Sequence, residues 1–229
     1  MNTNKLNDLQ PTTNIFIRIT PKLEDMGESV ISLKDDVEQI IQIRALPYSE
    51  RPVSVFLRGD ILINQLDGNV FELQKVLQKS NPEIEALRGE GRLAAKLAMI
   101  DQLPIWCPCC QLRYDYAQGR YYVNKYSYLM DVDVLRTDNA KHDFGDLKRE
   151  IAALPQVIYC GDATNGEDFF FIVPITCPQR YEEHAAALIR RFAAAGVRVR
   201  VNPSVSHYRT WSCDPLATIN NNAKTFDIL

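Results

Sequence analysis

The chain reads as an α+β protein whose C-terminal half runs β-α-β-β-α-β, with an N-terminal α/β module packed on it. Three observations predict this. Apolar runs of strand length recur at 126–133, 156–161, 168–174 and 197–201. Two segments of helical periodicity, at about 144–154 and from Pro178 to about Ala195, separate the first from the second run and the third from the fourth. Only the turn Asp162-Ala163-Thr164-Asn165-Gly166 stands between the second and third, and Asn-Gly is a strong hairpin signal. That order is the ferredoxin-like, or RRM-like, split βαβ unit, in which the first and third strands are central and adjacent.

Each element has a local cause. In the first helix Leu147, Ile151 and Leu154 share one face. Pro178 opens the second and Gly196 is its natural C-cap. The run VRVRV at 197–201 alternates as a half-buried strand does.

Upstream, residues 1–13 read as a disordered arm and 14–102 as the N-terminal module. The core spans 103–222, and 223–229 form a tail. Asn14–Thr20 alternates as a strand, and Ser32 caps a helix carrying Val37, Ile40 and Ile41 on one face. Pro52–Asn64 reads as two short strands about an Arg58-Gly59-Asp60 turn. Residues 69–80 and 82–102 read as helices, the second weakened at Gly89 and Gly91. Residues 104–125 are strand-like, with Ala117-Gln118-Gly119 as a hairpin loop.

Composition narrows the classes. At 229 residues, 46% hydrophobic and 24% charged, the chain can bury a sizeable core. A net charge of −3 gives no global pull toward nucleic acid, so such binding needs a local basic patch. The polar start has no signal-peptide core and no run reaches membrane-span length, which predicts a cytoplasmic protein with reduced thiols. Cys107-Pro108-Cys109-Cys110 resembles half a zinc site, yet no second close pair follows, and buried strand thiols are the expected reading.

Four features carry candidate chemistry. Asp131 and Asp133 end an apolar strand two residues apart, so both carboxylates project to one side and can hold a divalent cation; the alternative is an Asp pair marking a strand end. The turn from Gly161 to Asp168 can offer backbone N–H groups to phosphate, or be a plain hairpin. Between His184 and Cys213 lie Arg190, Arg191, Arg198, Arg200 and Arg209 with no acid; Arg200, His207 and Arg209, near the end of the sheet, are the phosphate candidates. Tyr114, Tyr116, Tyr121 and Tyr122, interleaved with Arg113, Arg120 and Lys125, form either a base-stacking surface or one packed sheet face.

Taken together, three segments resemble a known family. They are the strand end Asp131-Val132-Asp133, the unit Tyr159-Cys160-Gly161 with Asn165-Gly166 and the strand through Pro174, and Val205-Ser206-His207-Tyr208-Arg209-Thr210-Trp211-Ser212-Cys213-Asp214-Pro215 closing on Ile219-Asn220. The combination is similar to the primase-like N-terminal domain of replication proteins of bacterial mobile elements and phages, a divergent branch of the archaeo-eukaryotic primase (primase-polymerase) superfamily. The resemblance spans roughly residues 14–222, loosely in the first half.

It implies metal-dependent nucleotidyl transfer on a template. Asp131 and Asp133 would ligate Mg²⁺ or Mn²⁺, with His207 beside them. Asn165, Gly166, Ser206 and Arg209 would hold the nucleotide, and Arg200, Arg120 and Lys125 the nucleic acid. Partners implied are single-stranded DNA or a primer-template, nucleotides, and a helicase or other replication protein. The chain departs from the family pattern in three places. Asp168 replaces the turn's second glycine, His207 replaces an arginine, and no third carboxylate stands within 199–204, with Asp162 or Asp168 as the available substitutes. These departures make a catalytically inactive nucleic-acid- or partner-binding module of the same fold the alternative expectation.

Overall fold

The computed structural model describes residues 42–43, 46–58 and 63–228. The expected arm at 1–13, the strand at 14–20, the helix from Ser32 and the Gly59-Asp60 turn tip lie outside the described residues. The chain is a mixed α+β protein built on antiparallel sheets, as its periodicity predicts. Among the described residues no helix is long and apolar enough to cross a membrane.

The first sheet begins with β1 (Pro52–Arg58) and β2 (Ile63–Asn69), paired antiparallel from Arg58↔Ile63 to Pro52↔Asn69. The second strand therefore continues to Asn69, five residues past its expected end. The seven-residue ladder of β1 draws this polar segment into register, although its sequence shows little alternation. α1 (Val70–Leu77) starts only there. The expected helix over 82–102 divides into α2 (Pro82–Gly89) and α3 (Leu93–Ile100), broken in the Gly89–Gly91 region. Asn81 caps α2 through Oδ1, which accepts from the N–H groups of Glu83 and Ile84 at 2.9 and 3.3 Å.

β3 (Ile105–Cys107) adds to β1, and β9 (Arg209–Thr210) adds to β3, giving the order β2-β1-β3-β9. Between them in sequence, β4 (Cys110–Asp115) and β5 (Arg120–Tyr126) form a separate two-stranded hairpin. Its Leu112, Tyr121 and Val123 pack on Phe56, Ile105 and Cys107 of the first sheet.

The second sheet runs β10-β7-β8-β6, with β6 (Leu129–Val134), β7 (Tyr159–Asp162), β8 (Phe169–Pro174) and β10 (Thr218–Ile219). α4 (Phe144–Ala152) lies between β6 and β7 in sequence, and α5 (Tyr181–Ala194) follows β8. Gly196 beyond α5 has φ +80°, the left-handed value that favours glycine past a helix end. Tyr128, at φ +56°, separates β5 from β6, so β6 starts three residues later than the expected 126–133 strand.

The alternating run 197–201 does not form a full strand. It meets β6 only at Arg200, whose N–H and C=O exchange 2.8 Å hydrogen bonds with Asp133. The reason is Asn139, which takes the place of a ladder partner. Its Oδ1 accepts from the Arg198 N–H at 2.9 Å and its Nδ2 donates to the Arg198 carbonyl at 2.8 Å. Val197 and Val199 still point inward, as the alternation requires.

The two faces of the second sheet bury different cores. Met130, Val132 and Val134 of β6 meet Leu147 and Ile151 of α4 and Tyr181, Ala185 and Leu188 of α5. On the other face Phe170 and Ile172 join Trp106, Trp211, Leu77, Ile84 and Leu87, a cluster drawn from both sides of residue 103. Each such side chain contributes about 1.5–3 kcal/mol on full burial, so both faces of the sheet hold the fold. Asp131 and Asp133 pair with Ile172 and Phe170, which puts the carboxylates on the second face, away from α4 and α5.

Candidate functional site

The end of β6 carries a buried ion cluster that joins the two sheets. Asp131, only 2% exposed, receives two cations. His207 Nε2 stands 2.6 Å from its Oδ1, and Arg209 Nε donates to its Oδ2 at 2.9 Å. Arg209 also donates through its Nη2 to Asp133 Oδ1, and its guanidinium lies 3.9 Å above the Phe170 ring. Asp133 is 42% exposed at its side chain, so one carboxylate is interior and the other faces solvent.

The two acids do share one side of the strand, as their i, i+2 spacing requires. Their occupants come from far along the chain. Arg209 is on β9 of the first sheet, registered against Trp106 of β3, and His207 precedes it by two residues.

These contacts set the protonation states. Burial alone raises a carboxyl, but the charges and hydrogen bonds of His207 and Arg209 override it and hold Asp131 well below the usual carboxylate range. Burial alone lowers an imidazole, but Asp131 reverses this and pushes His207 up to about 9. The geometry agrees. Nδ1 of His207 lies 2.7 Å from the Ser204 carbonyl while Nε2 faces Asp131, and only an imidazolium donates from both nitrogens. Burial opposes the charge of Arg209 too, but Asp133 and Asp131 raise its pKa further.

A pH dependence follows, with its sign. His207 is raised in the folded state from an ordinary 6.5, so its stabilising proton is fully in place below 6.5 and lost as pH rises through about 9. Asp131 is lowered, so its contribution is lost only as pH falls below the carboxylate range. Denaturant midpoints should therefore fall between pH 6.5 and 9. The fall should be absent from the same profile of His207→Gln; an unchanged slope in the variant would refute the imidazolium–carboxylate pair.

The other predicted positions are already engaged within the protein. Arg200 clasps Asp138 through two bonds of 2.7 and 2.9 Å. Ser206 is buried with Oγ 3.0 Å from Ser204 Oγ. Gly166 has φ +71°, the turn conformation its Asn-Gly signal predicts. In the same turn Asn165 Oδ1 accepts from the N–H groups of Glu167 and Asp168, both at 3.1 Å, so these donors are turned inward instead of toward a phosphate. Arg88 of α2 closes the turn from outside, donating to the carbonyls of Ala163 and Cys213 at 2.9 and 2.8 Å.

The two substitute acids are held apart from the pair. Asp162 and the buried Asp214 share Lys148, at 2.5 and 2.6 Å. Asp168 accepts from the Arg136 N–H and from Asn165. Sequence reading missed Arg88 and the Lys148–Asp162–Asp214 cluster, for which no local pattern exists. It noted Cys109 without its partner: the buried thiol lies 3.6 Å from Asp131 Oδ1.

Mg²⁺ and Mn²⁺ take cages of oxygen donors. Here the oxygens of Asp131 meet a guanidinium, an imidazole and a thiol, and Asn202 is among the residues where a third acid is expected. As arranged, the side chains do not fit a two-ion oxygen site.

The remaining predicted nucleic-acid residues sit on the β4–β5 hairpin. One face packs on the first sheet. On the other, Arg113 pairs across the ladder with Tyr122, and Asp115 with Arg120. Arg113, Arg120 and Tyr122 are exposed, Lys125 is half-buried, and Tyr116 at the tip is 90% exposed. The lone acid here, Asp115, accepts from the turn N–H groups of Ala117 and Gln118 and stands against three cations, Arg113, Arg120 and Lys125.

Compared with protein-family models, with curated proteins and with solved structures, the chain matches none.

Proposed function

We propose that the protein is a nucleic-acid-binding module of the primase-polymerase kind, RRM-like in its C-terminal core, that holds single-stranded DNA on the β4–β5 hairpin. In this reading the Asp131/Asp133 pair is a structural clasp. The observation that carries it is the exposed Arg113–Tyr122 cross-strand pair with Arg120 on the same face and Tyr116 exposed at the tip, since rings interleaved with guanidinium groups stack on bases while meeting phosphates. The core assignment is supported by strand order. The Arg200 segment, β6, β8 and β7 lie side by side, with α4 and α5 in one cluster on one face.

Fluorescence anisotropy with a labelled oligonucleotide tests the proposal. Tyr122→Ala and Tyr116→Ala should each weaken binding by about 1–3 kcal/mol where a base stacks. Arg120→Ala should flatten the salt dependence by about 0.7 in log–log slope, the value for one single-strand phosphate contact. Binding that ignores all three changes removes the hairpin from the interface.

A second reading, template-directed nucleotidyl transfer, has one observation in its favour: Asp131 and Asp133 face the same guanidinium, on one side of β6. Primer extension in Mn²⁺ that Asp131→Asn and Asp133→Asn both abolish would favour it over the clasp.

A further inference from the structure

Cys109, Asp131 and His207 come from three different parts of the chain: the β3–β4 link, β6 and the segment before β9. They nevertheless bring Sγ, a carboxylate oxygen and an imidazole nitrogen within 4.8 Å of one another. We infer that these three side chains form a transition-metal site of the Zn²⁺ class, with the metal replacing the proton between His207 Nε2 and Asp131 Oδ1. Thiolate, imidazole and carboxylate are the donor types Zn²⁺ takes, and three protein ligands leave a fourth tetrahedral position for water or another small donor.

The surroundings orient each ligand. His207 Nδ1 donates to the Ser204 carbonyl, the outer-shell bond that leaves Nε2 free to ligate. Arg209 Nε holds Asp131 Oδ2, which turns Oδ1 toward Cys109 and His207. Charge is balanced as well. With Cys109 as thiolate and His207 neutral, the metal and Arg209 offset Cys109, Asp131 and Asp133. The two thiols Cys107 and Cys110 lie close together, 3.4 Å apart, and are the competing soft donors nearby. Metal loading is read without an oligonucleotide, so the assignment stands or falls apart from nucleic-acid binding.

The test loads the reduced, full-length protein with one equivalent of Co²⁺ and follows absorption. A thiolate-to-cobalt charge-transfer band with the visible bands of a four-coordinate ion is expected, and Zn²⁺ should abolish both. Cys109→Ser should lose the charge-transfer band, and Cys107→Ala/Cys110→Ala should keep it. Because Cys109→Ser alters the core, X-ray absorption of the Zn²⁺-loaded wild-type protein gives a second reading, expected to show one sulfur with nitrogen and oxygen neighbours. Two or more sulfurs, a band lost only in the Cys107/Cys110 variant, or no stoichiometric binding overturns the assignment.

Discussion

Replacing Asp131 by Ala is expected to cost the fold about 3–5 kcal/mol, the penalty for stranding the partner of a buried ion pair. Two cations, His207 and Arg209, would lose their shared interior counter-charge. Against a typical total of about 5–15 kcal/mol, that is enough to unfold a marginal domain near physiological temperature. The comparison that gives the result meaning is Asp133→Ala. Asp133 is partly solvated and its removal leaves Arg209 on Asp131, so the cost should be about 1 kcal/mol or less. Urea denaturation of both variants measures the contrast. Equal losses, or a stable Asp131→Ala protein, would show that the clasp does not hold the sheets together.

Phe170→Ala should be comparably damaging, for a different reason. The ring is fully buried near the start of β8, and truncating such a side chain costs about 3–5 kcal/mol through lost burial and the cavity left behind. It also removes the surface on which Arg209 lies, a cation–π contact worth about 0.5–2 kcal/mol. The two contributions separate in a double-mutant cycle of Phe170→Leu with Arg209→Ala. A coupling energy well above about 0.5 kcal/mol is expected, because the residues touch; simple additivity would refute the stacked arrangement.

These two experiments probe one object from opposite sides. The Asp pair joins a strand of one sheet to a two-residue strand of the other, and Phe170 is the floor beneath the joint. A metal at Cys109, Asp131 and His207 would tighten the same joint without new protein contacts. The hairpin is built on a different cluster, against which Tyr208 packs between the clasp residues His207 and Arg209.

Much of this architecture is legible in the residues. Apolar runs of strand length marked β6 and β8, the Asn165-Gly166 tip joined β7 to β8, and Gly196 ended α5, because each depends only on backbone geometry and near neighbours. The same reasoning placed Asp131 and Asp133 on one side of their strand. The run 197–201 was misleading for an equally physical reason: alternation reports which side chains turn inward, not which backbone groups find a ladder, and Asn139 had already taken Arg198. β2 erred in the opposite direction, its polar residues being recruited to a strand by pairing with β1.

What the sequence by itself determined, then, is the order β6, α4, β7, β8, α5, the inward side of Val197 and Val199, and the presence of two acids aimed together. Only the tertiary structure decided what they aim at. Arg209 and His207 lie 78 and 76 positions from Asp131 along the chain, and Cys109 lies 22 in the other direction. They converge because one core, holding Trp106 and Phe170, is shared by the two sheets. Periodicity is a property of a few consecutive residues, whereas the neutralisation of a buried charge depends on which distant segment the core brings beside it.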